Sequence, residues 1–491
     1  MASVWRAWAA APDAPSGSAW EAGSAAPAVA VTDPSTAAQQ AESSGPSAAA
    51  GLLRRVHRDG EPGPGAVRPA DEAVDEPEVP APALYMVLSA AGKLVYVHGD
   101  DTAWGGAYTQ AGVLHAMLTL FGAREELQHI SLAPALHVAF LSRAPLHVVG
   151  VTHCAEARAL VRARLEHVYA AILSLLSAPR LERLFARAPN VDLMGLIGPM
   201  AQYVDAAVEA MHASLARALD AVPVRPLEPA LRDALNVALL RALGAQAPQG
   251  VLYVQLWDDD RLLSHAHPRH HTPSPTDLAL LHAMARCSAS EEEGWAPLCL
   301  PHAAPHGFVY VYASRLFSGA HAPLFVLVCA DRDGLRASRA SRDRVREARC
   351  VAALPGALAE PVPGALAPVP GLRDVAYASR RRRQCVLPRA MPERRRTLYA
   401  HSLQALRGAP PVRATPGAAD DARAPPIAAP LQMVVQRTAH EALLGWRTQA
   451  FELCMHASPL LSASGLGELA NRVVQHMRTH ERAMFATAAT F

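Results

Sequence analysis

The chain has 491 residues, of which 51% are hydrophobic and 18% charged, and its formal net charge is +2. That length fits about three domains, and a charge so near neutrality excludes a global electrostatic drive toward nucleic acid. The cysteines are dispersed without a C-x-x-C pair, which argues against a zinc site or a disulfide framework and for reduced thiols in the cytoplasm.

The opening MASVWRAWAAAPDAPSGS has no apolar stretch long enough for a signal peptide. No window reaches the roughly eighteen apolar residues of a membrane-spanning helix, so membrane contact is expected to be peripheral. Residues 1–80 are rich in Ala, Ser, Pro, Gly and acids. They bury too little apolar surface to offset their ordering entropy and are expected to be disordered. Order is expected from Ala83. The runs ALYMVLS (83–89) and KLVYVHG (93–99) read as a hairpin turned near Gly92-Lys93. In YTQAGVLHAMLTLFG, Val113, Met117 and Phe121 lie beside Leu114 and Leu118, one apolar stripe at helical spacing. Three further strands follow in LQHISLA, ALHVAFLSR and LHVVGVTHC. A long helix over 155–177 then has Val161, Leu165, Val168, Ile172 and Leu176 on its expected buried face. RLERLFARAP gives a shorter helix, and helical sequence continues over 200–243.

The pattern recurs. Residues 251–266 form a second hairpin, turned by Asp258 to Asp260. TDLALLHAMARC is a helix, FVYVYASRLF and APLFVLVCA are strands, and SRDRVREARCVAAL is a basic helix. The prolines of 354–371 predict a stiff spacer. A third copy has a hairpin over 374–387, the helix ERRRTLYAHSLQALRG and a Pro-rich loop over 409–430. The strands LQMVVQRT, EALLGWRT and AFELCMHA follow. The closing helix is expected to start at Ser464 as N-cap, with Leu466, Leu469, Val473, Met477 and Met484 buried. Three copies of one β-β-α-β-β-β-α unit are the main structural expectation.

Motifs for covalent chemistry are absent: there is no G-x-S-x-G, H-E-x-x-H, P-loop or G-x-G-x-x-G. Gly99 followed by Asp100 and Asp101 would repel a phosphate instead of cradling it. The connection through DDTAWGGAY is better suited to touching a protein, with Trp104 as an anchor. His265, His267, His270 and His271 sit beside prolines and read as a solvent-exposed loop, and Asp258 to Asp260 as a turn, not a metal site. A metal-dependent hydrolase built on those acids and histidines is the weakest of the readings. Arginine is concentrated twice, nine against two acids over 373–396 and seven against three over 332–349. Neither cluster has interleaved aromatics, so an anionic membrane surface suits them better than nucleic acid, each cation adding about 1 kcal/mol near such a surface. Arg380, Arg381, Arg382, Arg383, Arg394, Arg395 and Arg396 are the candidate contacts.

Several segments also carry a resemblance. VLSAAGKLVYVHGDD, FLSRAPLHVVGVTH, LEHVYAAILSLLS and LERLFARAPNVDLMGLIG resemble, in order, the first longin domain of the MON-one vacuolar fusion proteins, and LLGWRTQAFELCMHASPL with ANRVVQHMRTHERAMF resembles that family's closing segment. The resemblance implies an α/β (α+β) chain of three longin domains, each β-β-α-β-β-β-α-α with a mixed five-stranded sheet and helices on both faces. The expected divisions are a disordered region (1–80), a first domain (82–222), a helical connection (223–248), a second domain (249–353), a Pro-rich linker (354–371) and a third domain (372–491). It further implies a non-enzymatic subunit, without cofactor, that pairs with a CCZ-one-type longin protein. The pair would form a guanine nucleotide exchange factor for the Rab GTPase of late endosomes and vacuoles. Such a subunit would be cytoplasmic and recruited to late endosome, autophagosome and vacuole membranes bearing acidic phosphoinositides. Lys93, Asp100, Asp101, Trp104, Val113, Leu114 and Met117 are the expected Rab or partner contacts. The rival reading is a longin adaptor or tether that binds Rab or SNARE proteins without promoting exchange.

Overall fold

The computed structural model describes residues 83–99, 106–120, 127–133, 136–152, 158–188, 190–244, 247–289, 293–319, 322–359, 369–388, 391–407, 432–437 and 440–491. The first unit comprises β1 (Leu84–Ser89), β2 (Leu94–His98), α1 (Ala107–Leu120), β3 (His129–Ala133), β4 (Leu136–Arg143), β5 (Leu146–Thr152), α2 (Arg158–Leu176), α3 (Ala178–Arg187), α4 (Leu193–Ile197) and α5 (Ala201–Ala213). The connection contains β6 (Val222–Pro223) and α6 (Pro229–Ala242). The second unit comprises β7 (Val251–Asp258), β8 (Arg261–His267), α7 (Pro275–Ser288), β9 (Glu293–Leu300), β10 (Ala304–Arg315), β11 (Leu324–Cys329), α8 (Leu335–Arg346), α9 (Arg349–Ala352) and α10 (Leu354–Ala359). The third comprises β12 (Leu372–Ser379), β13 (Gln384–Val386), α11 (Glu393–Arg407), β14 (Met433–Arg437), β15 (Ala442–Arg447), β16 (Phe451–Ala457), α12 (Ala463–Thr479), α13 (Glu481–Met484) and β17 (Ala489–Thr490).

In each unit the first strand pairs with the second and the last, giving the order β2-β1-β5-β4-β3 and its equivalents β8-β7-β11-β10-β9 and β13-β12-β16-β15-β14. The expectation of a mixed five-stranded sheet is corrected in detail. The first sheet is antiparallel throughout. The other two become mixed through a sixth, parallel strand borrowed from elsewhere: β6 on β13 and β17 on β8. Each borrowed strand covers an otherwise open edge and ties one unit to another.

The strand pattern explains the layers. Along β1, Tyr85 and Val87 face α2 while Met86 and Leu88 face α1, the alternation of a strand covered on both sides. The long helix buries Val161, Leu165, Val168, Ile172 and Leu176, as its spacing predicts. Close packing here needs Gly150 on β5, since a Cβ at that position would stand 2.9 Å from Leu165 and 3.2 Å from Tyr85. The same core runs on without a break into the second unit: Tyr203, Val204, Ala207 and Val208 of α5 join Leu280, Leu281, Ala283 and Met284 of α7.

Arg232 of α6 braces the second and third units. It is 1% exposed and donates to the carbonyls of Leu263 (3.1 Å), Arg225 (2.9 Å) and Ala483 (3.0 Å). Burial lowers its pKa to about 10, and it remains cationic at neutral pH.

Several local expectations change. Strand β9 lies in EGWAPLCL, which the sequence pattern did not mark, and the supposed helical run over 200–243 is broken by β6. His265 and His267 are not in a loop but are buried on β8, at 7% and 6% exposure; only His270 and His271 lie outside. The final helix is capped by Ser462, whose Oγ accepts from the Gly465 amide at 3.1 Å, not by Ser464. Residues 354–359 form α10 with Leu354 buried, so the Pro-rich segment begins later than its composition indicates.

Candidate interaction surface

The β1–β2 hairpin and α1 are held as one piece. Ser89 and Lys93 close the turn, with the Ser89 amide donating to the Lys93 carbonyl at 2.8 Å and the Lys93 amide to Ser89 Oγ at 3.1 Å. Gly92 takes φ +77°, and a Cβ there would lie 2.6 Å from the imidazole of His115. That imidazole packs against the turn and its Nε2 donates to the Ala90 carbonyl at 3.1 Å. The Lys93 ammonium reaches across to the Asn190 carbonyl at 2.8 Å, so the chain's single lysine ties the hairpin to the loop before α4.

Helix α1 has an unusual composition for an outer helix. Its fourteen residues, AYTQAGVLHAMLTL, include no Asp, Glu, Lys or Arg. Ala111 and Leu114 are buried against β1 and β2, and Met117 and Leu118 are partly buried there. Val113, expected on the same stripe, instead points outward at 58% exposure, with Leu120 at 82% and Gly112 and Ala116 also exposed. Residues 113, 116 and 120 follow i, i+3, i+7 spacing and so form one outward apolar stripe. A helix apolar on all sides is normally enclosed.

Helix α7 supplies the internal comparison. It occupies the same place in the second unit and repeats the tetrapeptide Leu-His-Ala-Met, at 281–284 against 114–117. His282 Nε2 meets the Asp259 carbonyl of the β7–β8 turn at 2.6 Å, the counterpart of His115 on Ala90. Burial lowers the His282 pKa to about 4. Leu280 and Ala283, which align with Val113 and Ala116, are 0% and 3% exposed because α5 of the first unit covers them.

Of the seven expected partner contacts, Lys93 and Val113 are therefore exposed, Leu114 belongs to the core, and Met117 is half-buried. Asp100, Asp101 and Trp104 lie outside the described residues. Gly112, Ala116 and Leu120, exposed on the same helix, were not among the expected residues. Two signals mark them in the sequence: the absence of charge across α1 and the recurrence of Leu-His-Ala-Met.

The arginines of the third unit are largely engaged within the chain. Arg380 Nη1 donates to the Thr448 carbonyl (3.0 Å) and Arg382 Nε to Glu481 (2.8 Å). Arg383 Nη2 donates to both carboxylate oxygens of Asp220, at 2.8 and 2.9 Å. Arg394 lies 3.4 Å from Glu441, Arg395 pairs with Asp374, and Arg396 donates to the Met391 carbonyl at 3.1 Å. Arg381 is exposed on the same turn. Asp258 lies 3.6 Å from Arg225. Among the described residues no group of three or more His, Cys, Asp or Glu is placed to hold a metal ion, and no helix is long and apolar enough to cross a membrane.

Three repeats of one sheet order, laced by borrowed strands, define a triple-longin protein. Residues 83–206 match the first longin domain of FUZ, MON1 and HPS1, residues 249–347 the second and residues 371–481 the third. The chain belongs to this family, and within it to the MON1 proteins. It is 29% identical over 422 residues to the vacuolar fusion protein MON1 of Cryptococcus neoformans, covering 82% of this chain and 65% of that protein. To MON1 homolog A of Gallus gallus it is 27% identical, covering 81% of this chain and 71% of the relative. To MON1 homolog B of Homo sapiens it is 28% identical, covering 81% and 74%. The chain thus spans just under two thirds of its fungal relative's length.

Proposed function

We propose that this chain is one subunit of a two-subunit guanine nucleotide exchange factor for a late-endosomal or vacuolar Rab GTPase, acting in vacuolar fusion. The observation that carries the reading is the uncovered apolar stripe of α1 at Val113, Ala116 and Leu120. Its counterpart on α7 is covered by another longin unit of the same chain, so a second longin protein is the occupant that fits. The relatives' names, vacuolar fusion proteins, support the setting.

The chemistry is non-covalent. The paired platform would bind the GTPase switch segments in an arrangement that disfavours magnesium and phosphate contacts, and GDP would leave as the population shifts toward the nucleotide-free state. The β2–α1 connection, outside the described residues, is the part of the first unit proposed to meet the GTPase. Recruitment to acidic phosphoinositide membranes would use cations left outward, Arg381 in the third unit and Arg336, Arg346 and Arg349 in the second.

The test is release of fluorescent GDP from the vacuolar Rab by this chain plus its CCZ-one-type partner. Acceleration that needs both proteins is expected. Stable binding to the Rab with no acceleration over the Rab alone would replace this reading with that of an adaptor or tether.

A further inference from the structure

Where the connection after α5 crosses α7 and the β7–β8 turn, the first two units enclose a cavity of about 100 Å³. One water needs only roughly 15 Å³ in the same measure, so a small organic molecule fits. Ala207, Ala210, Met211, Val222 and Trp257 give it mostly apolar walls. Ala213, Asp260 and Arg286 are the exposed residues of its lining and mark the mouth.

Two polar groups inside are incompletely satisfied. His167 on α2 is 4% exposed, and burial lowers its pKa to about 3, so the ring is neutral. One ring nitrogen bonds the Ala207 backbone, while Nδ1 has no protein partner. A neutral imidazole with one nitrogen committed as donor presents the other as an acceptor. Arg217 is the second. Its Nη atoms donate to Thr276 Oγ1 (3.3 Å), the Pro275 carbonyl (2.9 Å) and the Ala221 carbonyl (3.4 Å), all neutral acceptors. The nearest carboxylate in sequence, Asp220, favours the Arg217 charge but hydrogen-bonds Arg383 and not Arg217. Burial lowers the Arg217 pKa to about 10, yet it stays charged at neutral pH. A largely desolvated cation whose hydrogen bonds all go to neutral acceptors is one that an anionic ligand would stabilise further.

We infer that this cavity binds a small amphiphilic monocarboxylate, with its carboxylate on Arg217, a hydroxyl donated to His167 Nδ1, and its carbon body against Ala207, Met211 and Trp257. The walls favour an organic acid over an inorganic anion, because apolar groups outnumber polar ones. The site joins the unit that carries α1 to the unit that encloses α7, and its occupancy is independent of the exchange reading.

The experiment is calorimetric titration of the full chain with 4-hydroxybenzoate, with benzoate, phenol and phosphate in separate arms. Saturable millimolar or tighter binding of 4-hydroxybenzoate is expected, at least tenfold stronger than phenol or phosphate. Ala210→Leu fills the cavity and should abolish the heat while leaving the unfolding midpoint near that of the parent chain. His167→Phe should remove the advantage of 4-hydroxybenzoate over benzoate. No saturable binding, binding of phosphate as strong as of the aromatic acid, or binding indifferent to both substitutions would overturn the assignment and leave a cavity that holds water only.

Discussion

Helices α1 and α7 fill the same position in successive repeats and clamp the preceding hairpin through the same histidine, yet only α7 is enclosed. At Leu280 and Ala283 another longin unit supplies the covering surface; at Val113 and Ala116 the chain itself supplies none among the described residues. The third repeat takes another course. Its helix α11 carries Arg394, Arg395, Arg396 and Arg407, and the last of these is paired with Glu452 at 2.8 Å. One architecture thus yields an internal joint, an exposed apolar face and a charged flank, according to which residues stand on the outer side of one helix.

The sharpest way to break the comparison is to place a charge at equivalent positions. Leu280→Asp buries a carboxylate in the shared core and should cost about 3–5 kcal/mol, read as a fall in the denaturation midpoint. Val113→Asp, one repeat earlier, should change stability by less than about 0.5 kcal/mol while weakening partner binding tenfold or more. Equal losses of stability at both sites would mean that α1 is enclosed as α7 is.

Acid offers a second, somewhat smaller lever. Burial lowers the pKa of His282 to about 4 and those of His167 and His265 to about 3. Each is neutral when folded but takes a proton when unfolded below about pH 6.5, so the unfolded state binds more protons. Stability is therefore full above about pH 6.5 and falls as pH drops through the folded values. The share of His282 amounts to about 3 kcal/mol once fully developed. His282→Gln should flatten the dependence of stability on pH between about 6.5 and 4, whereas a conservative change at an exposed site on α1 such as Thr119→Ser serves as the control. A slope as steep in His282→Gln as in the parent chain would mean that enclosure of α7 does not hold this imidazole neutral.

The smallest effects belong to the arginine turn. Arg383 and Asp220 are both about half exposed or more, and Arg383→Gln should cost no more than about 1 kcal/mol. Arg381→Glu should leave the unfolding midpoint unchanged and weaken binding to phosphoinositide-containing liposomes a few-fold. Unchanged liposome binding would make the turn a solvated brace between β13 and its neighbours.

The repeat itself is legible in the sequence because apolar alternation and helical spacing are local properties. Val161 through Leu176 read correctly for that reason. Strand β9 escaped because EGWAPLCL has a proline and little alternation, and its place is set by pairing with β10. The two-residue strands β6 and β17 are too short to have a period, and only the neighbouring edge makes them strands. Val113 was placed on the wrong side since a helix apolar all round gives no phase by which to choose a face. His265 and His267 were misplaced through their prolines' company, although the strand simply continues to His267. The exposed apolar stripe was half legible: Val113 was singled out on α1, while Ala116 and Leu120 emerge only beside the buried counterpart on α7.

Amide hydrogen exchange across α1, measured on the chain alone and with the proposed CCZ-one-type partner, tests the central claim most directly. Residues 110–120 should become strongly protected in the complex, while 275–288 on α7, already enclosed, should hardly change. A stable complex that leaves 110–120 exchanging as in the free chain would contradict the assignment of this face.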